Sequence, residues 1–330
     1  MARVLVTGAS GFIGSHLIDV LEEAGHEAIP MVRSASSRKW LGAAADRARE
    51  ASLDDPASLD RAVRGCDRVL HLAGAVRARS AEEYLEINAR GVRHLAEAAL
   101  RAAPDLERFV LVSSLAAAGP SRNGRAVDET TEPAPITDYG RSKLEGERLL
   151  RELGDSLPYS IVRPPAVYGP RDRGILTFFQ CARRGFLPRI GPRGERTYSL
   201  IHGRDLAEGI HRVSVAREAE GGTYFLANPD PYTWEAMLEA FGAVVDRRLR
   251  SIRVPAGIVR TVGSVSEWRA RRADRAPFLT RDKVMDLVVE RWTCDPGLAA
   301  RELDFTTRIA LADGLAETAA WYREQGWLRS

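Results

Sequence analysis

Hydrophobic positions in the first half of the chain fall into short runs separated by stretches of helical spacing. Val4 to Val6 is an apolar run of strand length. Leu17, Ile18, Leu21 and Ala24 then recur at helical spacing until Gly25 stops the pattern. Ala28 to Val32 is a second apolar run. Strand, turn, helix, strand predicts one βαβ unit. The alternation continues, with strands expected at 68–73, 109–113 and 159–163 and helices over 95–103 and 139–153. Such alternation predicts an α/β fold, a doubly wound parallel sheet with helices on both faces.

The turn inside the first unit is rich in glycine: Gly8, Gly11 and Gly14 follow the first strand at once. Each has a distinct physical task. Gly8 permits a tight turn, Gly11 removes a side chain where a pyrophosphate approaches, and Gly14 lets helix and strand pack closely. The helix start then offers free N–H groups and a positive dipole end to phosphates.

Beyond residue 170 the pattern loosens. A helix and a proline-broken loop are expected over 174–194, a strand at 199–202, a helix at 205–215 and a strand at 223–227. Residues 229–330 read as helical patches. We therefore expect a dinucleotide-binding part, 1–170, and a smaller, mostly helical substrate lobe, 171–330. Segments at about 195–228 are expected to rejoin the first sheet. The loop 119–138 is rich in Pro, Gly, Asn and Thr, and its length suits a wall of an active site.

Composition narrows the class. Of 330 residues, 48 are basic and 45 acidic, a net charge of +3, too balanced to point to nucleic acid. Cys66, Cys181 and Cys294 are far apart, form no metal-type pair and suit a reducing compartment. The first strand begins at once, leaving no visible signal peptide, and no uncharged apolar run reaches the roughly 18 residues of a membrane span. The expectation is a soluble, cytoplasmic protein without a metal, acting on a small molecule, with a homodimer as the expected assembly.

Candidate chemistry sits in a second stretch, Tyr139-Gly-Arg-Ser-Lys143. Tyrosine and lysine four apart share one face of a helix. A phenol titrates near pH 10, and an ammonium one turn away stabilises the phenolate. The same tyrosine can both accept and return a proton. At the end of the strand from Phe109 stand Ser113 and Ser114, where a hydroxyl can donate to a carbonyl oxygen gaining negative charge. After the second strand the chain reads Met31-Val-Arg-Ser-Ala-Ser-Ser-Arg38, with no acid to hold a ribose 2′-hydroxyl. Arg33, Ser34 and Arg38 would instead accept a 2′-phosphate, favouring NADP(H) over NAD(H).

Several motifs together resemble the extended short-chain dehydrogenase/reductases, also called the NAD-dependent epimerase/dehydratase family, which have a Rossmann fold. They are Thr7-Gly-Ala-Ser-Gly-Phe-Ile-Gly14, His71-Leu-Ala-Gly74, Ile87-Asn-Ala-Arg-Gly91, Tyr139-x-x-x-Lys143 and Arg163-Pro-Pro-Ala-Val-Tyr-Gly-Pro170. The resemblance implies an oxidoreductase with Ser114 as the catalytic serine, Ser113 being the fallback, beside Tyr139, Lys143 and Asn88. It also implies cofactor contacts at Gly8, Ser10, Gly11, Phe12, Ile13, Gly14, Leu53, Leu72, Ala73, Gly74, Lys143 and Pro164. The family's adenine-side aspartate aligns with Ser52.

Departures from the family pattern bear on subclass. Leu115 and Ala116 stand where its dehydratases carry an acidic pair. Ala166 stands for an epimerase asparagine, and Tyr198 for an arginine that holds a diphosphate, although Arg193, Arg196 or Arg204 offer substitutes. The run 198–207 and the tail stretches 277–280, 292–295 and 303–305 look more like the reductase and 3β-hydroxysteroid dehydrogenase branches. The expected activity is hydride transfer to or from a secondary alcohol or carbonyl of a moderately apolar molecule. The alternative is a nucleotide-sugar epimerase. Ile258, Val262 and Val265 recur at near-helical spacing before Arg269, Arg271 and Arg272, which suits a packed helix, a pocket lining or a peripheral membrane contact.

Overall fold

A computed structural model describes residues 1–191, 194–272 and 281–328. The βαβ unit forms where the apolar pattern places it. Strand β1 (Arg3–Thr7) leads through the glycine turn into a helix at Phe12–Glu23 and back to β2 (Glu27–Val32). Then come β3 (Arg49–Glu50), β4 (Arg68–His71), β5 (Arg108–Val112) and β6 (Tyr159–Arg163). With Thr223–Phe225 they make a seven-stranded parallel sheet in the order Thr223–Phe225, β6, β5, β4, β1, β2, β3. The order reverses between β1 and β4, and the crevice at their C-terminal ends is where such sheets take ligands.

Alternation along each strand feeds two cores. Val4 and Val6 face the helices Phe12–Glu23 and Gly203–Val215, while Leu5 faces Pro56–Val63 and Gly91–Ala102. All three side chains are fully buried, which explains why the run is continuously apolar rather than alternating. A third core, around Phe179, Trp234, Phe241, Leu315 and Tyr322, belongs to the later residues.

Three expectations change. The proline-broken loop after the helix Leu176–Arg183 is a strand, Phe186–Ile190, paired with Arg250–Val254. Pro188 is tolerated because both strands of a two-stranded sheet are edges. The strand Leu200–His202 does not rejoin the main sheet but pairs with Ala166–Tyr168. The helix expected from residue 95 begins earlier: Ala81–Leu85, a π-helical turn at Glu86–Arg90 and Gly91–Ala102 run on without a break.

Residues 256–272 are helical, as Ala256–Arg272. The side chains of Val265, Arg269, Arg271 and Arg272, the stretch 277–280 and Arg193 lie outside the described residues. Among the described residues no helix is long and apolar enough to cross a membrane.

Candidate active site

The glycine turn is sterically committed. Gly8 has φ +67°, and a Cβ there would lie 2.8 Å from the Ala73 nitrogen. A Cβ on Gly14 would lie 2.2 Å from the Gly8 oxygen. Gly11 caps the helix Phe12–Glu23 with no side-chain hydrogen bond, and no acid stands in the first turn. The first N–H groups, from Phe12, Ile13 and Gly14, therefore face a cradle suited to an anion. The donor set and the absence of side-chain bulk fit a dinucleotide pyrophosphate.

Thr7 locks this turn to the next strand, a role the sequence did not reveal. Its hydroxyl accepts from the Leu72 and Ala73 N–H groups at 3.1 and 3.0 Å and bonds His71 Nδ1 at 2.7 Å. Burial, helped by the Lys143 charge, drives the His71 pKa down to about 3, so His71 is a neutral structural partner.

Asn88 stands in the π-helical turn, a geometry that often marks function. Its Oδ1 accepts from the Ala75 N–H at 2.8 Å, and its Nδ2 donates to the Ala75 carbonyl and to Ser142 Oγ, each at 3.0 Å. Ser142 Oγ in turn donates to the Tyr139 carbonyl at 2.8 Å. Asn88 thus ties the segment after β4 to the helix Asp138–Arg151, whose N-cap is Thr137. A Cβ on Gly74 would meet Asn88 Oδ1 at 2.9 Å and Lys143 Nζ at 3.7 Å. The lysine therefore reaches the ends of β4 and β5, where Nζ donates to the Val112 carbonyl at 2.8 Å. Burial lowers its pKa to about 8, with Glu147 pulling the other way.

The two serines have different partners. Ser114 caps the short helix Leu115–Ala118, accepting from the Ala116 N–H at 3.1 Å, and its hydroxyl shares a hydrogen bond with the Tyr139 phenol. Ser113 points the other way and donates to Glu147 Oε1 at 2.6 Å. Glu147 is fully buried and also takes Arg163 Nε at 2.9 Å and Nη2 at 2.6 Å. Burial alone would raise its pKa, but the Arg163 guanidinium holds it below the ordinary carboxylate value. Glu147 lies four residues past Lys143, so an acid on a buried helical stripe was its one sequence signal.

The Tyr139 phenol stands above its ordinary pKa. Burial raises it, the Ser114 hydrogen bond works against this, and the Asp286 carboxylate adds to the rise. This differs from the lowering expected of Lys143 and follows from desolvation outweighing the local hydrogen bond.

Elsewhere the expected residues are less convergent. Arg33, Ser34 and Arg38 are exposed after β2. Arg38 pairs with Glu50 at 3.0 Å, and β3 brings that acid opposite Val32. Leu53 packs on Gly91, and its carbonyl bonds His94. Pro164 is buried beside the serine turn and accepts the Leu115 N–H at 2.8 Å, while Ser10 is half-buried in the glycine turn. Trp40, missed in the sequence, packs against Trp321 of the helix Leu311–Glu324, ring centroids 5.3 Å apart and tilted at 56°, and so ties the loop after β2 to the later half.

The substitutes for a diphosphate-holding arginine are engaged. Arg196 is buried and donates to the carbonyls of Leu287, Val288 and Val289, and Arg204 pairs with Glu23 and Glu208. The loop 119–138 is held by residues 291–295: Ser121 Oγ lies 2.6 Å from Thr293 Oγ1, and Val127 bridges Cys294.

A Rossmann sheet with a dinucleotide cradle beside clustered Ser114, Tyr139 and Lys143 defines an NAD(P)-dependent dehydrogenase/reductase type of enzyme. The chain belongs to the NAD dependent epimerase/dehydratase family, whose model matches residues 4–227. It is 31% identical over 327 residues to the ceramide reductase of Caulobacter vibrioides (strain NA1000 / CB15N), covering 98% of this chain and 96% of that one. Among solved structures it is similar to gox2253, with TM-score 0.81, 28% identity and full coverage of both chains. It is also similar to DesIV, a dTDP-glucose 4,6-dehydratase from Streptomyces venezuelae with NAD bound, with TM-score 0.78, 25% identity and 99% of each chain covered.

Proposed function

We propose that the protein is an NADP(H)-dependent oxidoreductase transferring hydride to or from a secondary alcohol or carbonyl on a moderately apolar substrate. The observation that carries this reading is the convergence of Ser114, Tyr139 and Lys143 at the C-terminal ends of β4 and β5. The bound nicotinamide cofactor supplies or accepts the hydride. Tyr139 exchanges the proton with the substrate oxygen, Ser114 holds that oxygen by a hydrogen bond, and Lys143 hydrogen-bonds the nicotinamide ribose. Asn88 positions Lys143 through Ser142 and the segment at Gly74 and Ala75. Residues 1–170 would hold the cofactor, with Gly8, Ser10 to Gly14, Leu53, Leu72 to Gly74 and Pro164 around it, and residues 171–330 would enclose the substrate.

The apolar substrate class is supported by the relative that acts on ceramide, a lipid. It is also supported by Arg196, whose buried guanidinium is spent on the carbonyls of Leu287, Val288 and Val289. The epimerase reading loses Arg196 as a phosphate clamp for the same reason. NADP(H) is favoured by Arg33 and Ser34, with Arg38 reaching a 2′-phosphate by exchanging its Glu50 partner.

The test is a titration of NADPH and NADH against the full chain, with oxidation followed on a small soluble ketone. Tighter NADPH binding, reduced by Arg33→Ala and increased by Glu50→Gln, is expected. Equal or tighter NADH binding unaltered by either change would overturn the cofactor assignment. Turnover of a nucleoside-diphosphate sugar without net cofactor consumption would favour the epimerase.

A further inference from the structure

Outside the active site, several exposed apolar side chains lie on three elements close in sequence. Among the described residues the exposed large hydrophobics include Ile252, Ile258, Val262 and Met285, at 45–56% exposure. Three of them lie on consecutive elements, the strand Arg250–Val254 and the helix Ala256–Arg272. On the helix, Val259 and Gly263 are buried against the protein, leaving Ile258 and Val262, one turn apart, on an outer face. On the strand, Ser251 bonds the Trp234 indole and Arg253 the Gly191 carbonyl, so Arg250 and Ile252 share the opposite, exposed face.

Charge on this segment is one-sided. Between Arg247 and Arg272 the sequence holds eight arginines and one acid, Glu267, in a chain whose whole net charge is +3. Arg248 and Arg250 are exposed; Arg248 lines a shallow cleft with Glu235, Glu239 and Asp246, while Arg250 makes no ion pair with any described residue. Apolar side chains on a segment with a surplus of cations are the chemistry of an interfacial surface on anionic lipid. A nucleic acid would use the arginines but gains nothing from exposed isoleucine and valine.

The patch also adjoins the site. The helix Arg281–Val288 packs against Ala256–Arg272. On it Asp286 bears on the Tyr139 phenol, while Met285, one residue earlier, is exposed. The helix Arg281–Val288 thus carries Met285 exposed to solvent and, next to it, Asp286, whose charge reaches the Tyr139 phenol.

We propose that the surface carrying Arg250, Ile252, Ile258, Val262 and Met285 docks on an anionic phospholipid bilayer, opening the substrate lobe towards lipid from which an apolar substrate enters. The proposal rests on the apolar-substrate reading above.

The test is co-sedimentation of the full chain with vesicles of phosphatidylcholine alone, or of phosphatidylcholine with about one-third phosphatidylglycerol, at low and high salt. At least about tenfold stronger partition onto the anionic vesicles is expected, weakened by salt. Ile258→Glu with Val262→Glu, and separately Arg248→Glu with Arg250→Glu, should each lower it about tenfold or more, with turnover of a small soluble ketone unchanged. The arginine pair keeps the test open if the glutamates at 258 and 262 prevent folding. Partition that ignores phosphatidylglycerol, or survives both double changes, would overturn the proposal. So would light scattering showing a dimer that Ile258→Glu with Val262→Glu splits, since a second copy would then cover the patch. Failure of the oxidoreductase reading would show instead as absent ketone turnover, whatever the vesicles do.

Discussion

Lys143 donates from Nζ to the carbonyl oxygen of Val112 at 2.8 Å, fixing the helix Asp138–Arg151 to the end of β5. That bond decides where Tyr139 stands, because the tyrosine is one helical turn away on the same face. Ser114, two residues past Val112, then meets the phenol. Strand end and helix face form one unit.

Tyr139→Phe should leave the fold and cofactor affinity intact while lowering kcat by about 10²- to 10⁴-fold, as for loss of a general acid–base. Stopped-flow measurement of the hydride step on a soluble ketone, beside NADPH binding by fluorescence, checks both halves. Near-full turnover would place the proton donor elsewhere.

Lys143 should titrate near pH 8 in the free enzyme, far below the usual ~10.4, because burial disfavours its charge. NMR of ¹³C-labelled lysine, with Lys143→Met for assignment, reads this directly. The sign for stability follows. The unfolded chain keeps the proton to higher pH, so the cost of the buried charge is fully present below about pH 8 and fades as pH rises towards the unfolded value. Unfolding free energy should rise over that window in the wild type relative to Lys143→Met.

Glu147→Ala should destabilise the chain by about 3–5 kcal/mol, since it strands the buried Arg163 guanidinium and the Ser113 hydroxyl. Glu147→Leu combined with Arg163→Met should lose much less, because no buried charge is left unpaired: Arg151, which also meets Glu147 at 3.1 Å, is part-exposed and keeps its bond to Thr223. Urea unfolding of the two variants separates the outcomes, and equal losses would refute the charge argument.

Gly14→Ala should abolish dinucleotide binding or folding, because its methyl group would lie 2.2 Å from the Gly8 oxygen. Gly25→Ala has φ +75° but nothing within 4 Å, so backbone strain alone should cost about 1 kcal/mol and leave binding unchanged. Calorimetry with NADPH on both variants tests the contrast.

The sequence by itself determined the parts whose physics is local. Short apolar runs specified β1, β2 and β4 to β6, because a strand buried on both faces needs continuous apolar side chains. Gly8 and Gly14 marked the turn because no side chain fits there. Tyr139 and Lys143 were paired because helical spacing alone puts them on one face. The family resemblance singled out Ser114 over Ser113, but only the tertiary structure gave each serine its partner. Ser113 and Ser114 are neighbours of identical chemistry, and their partners, Glu147 and Tyr139, come from a helix some 25 to 34 residues later. The same holds for Glu50 meeting Arg38, for Pro188 lying in an edge strand, and for Asp286 reaching Tyr139 from the far end of the chain. No periodicity encodes those meetings. They are fixed by how separately formed elements pack, and packing depends on surfaces that exist only after each element has folded.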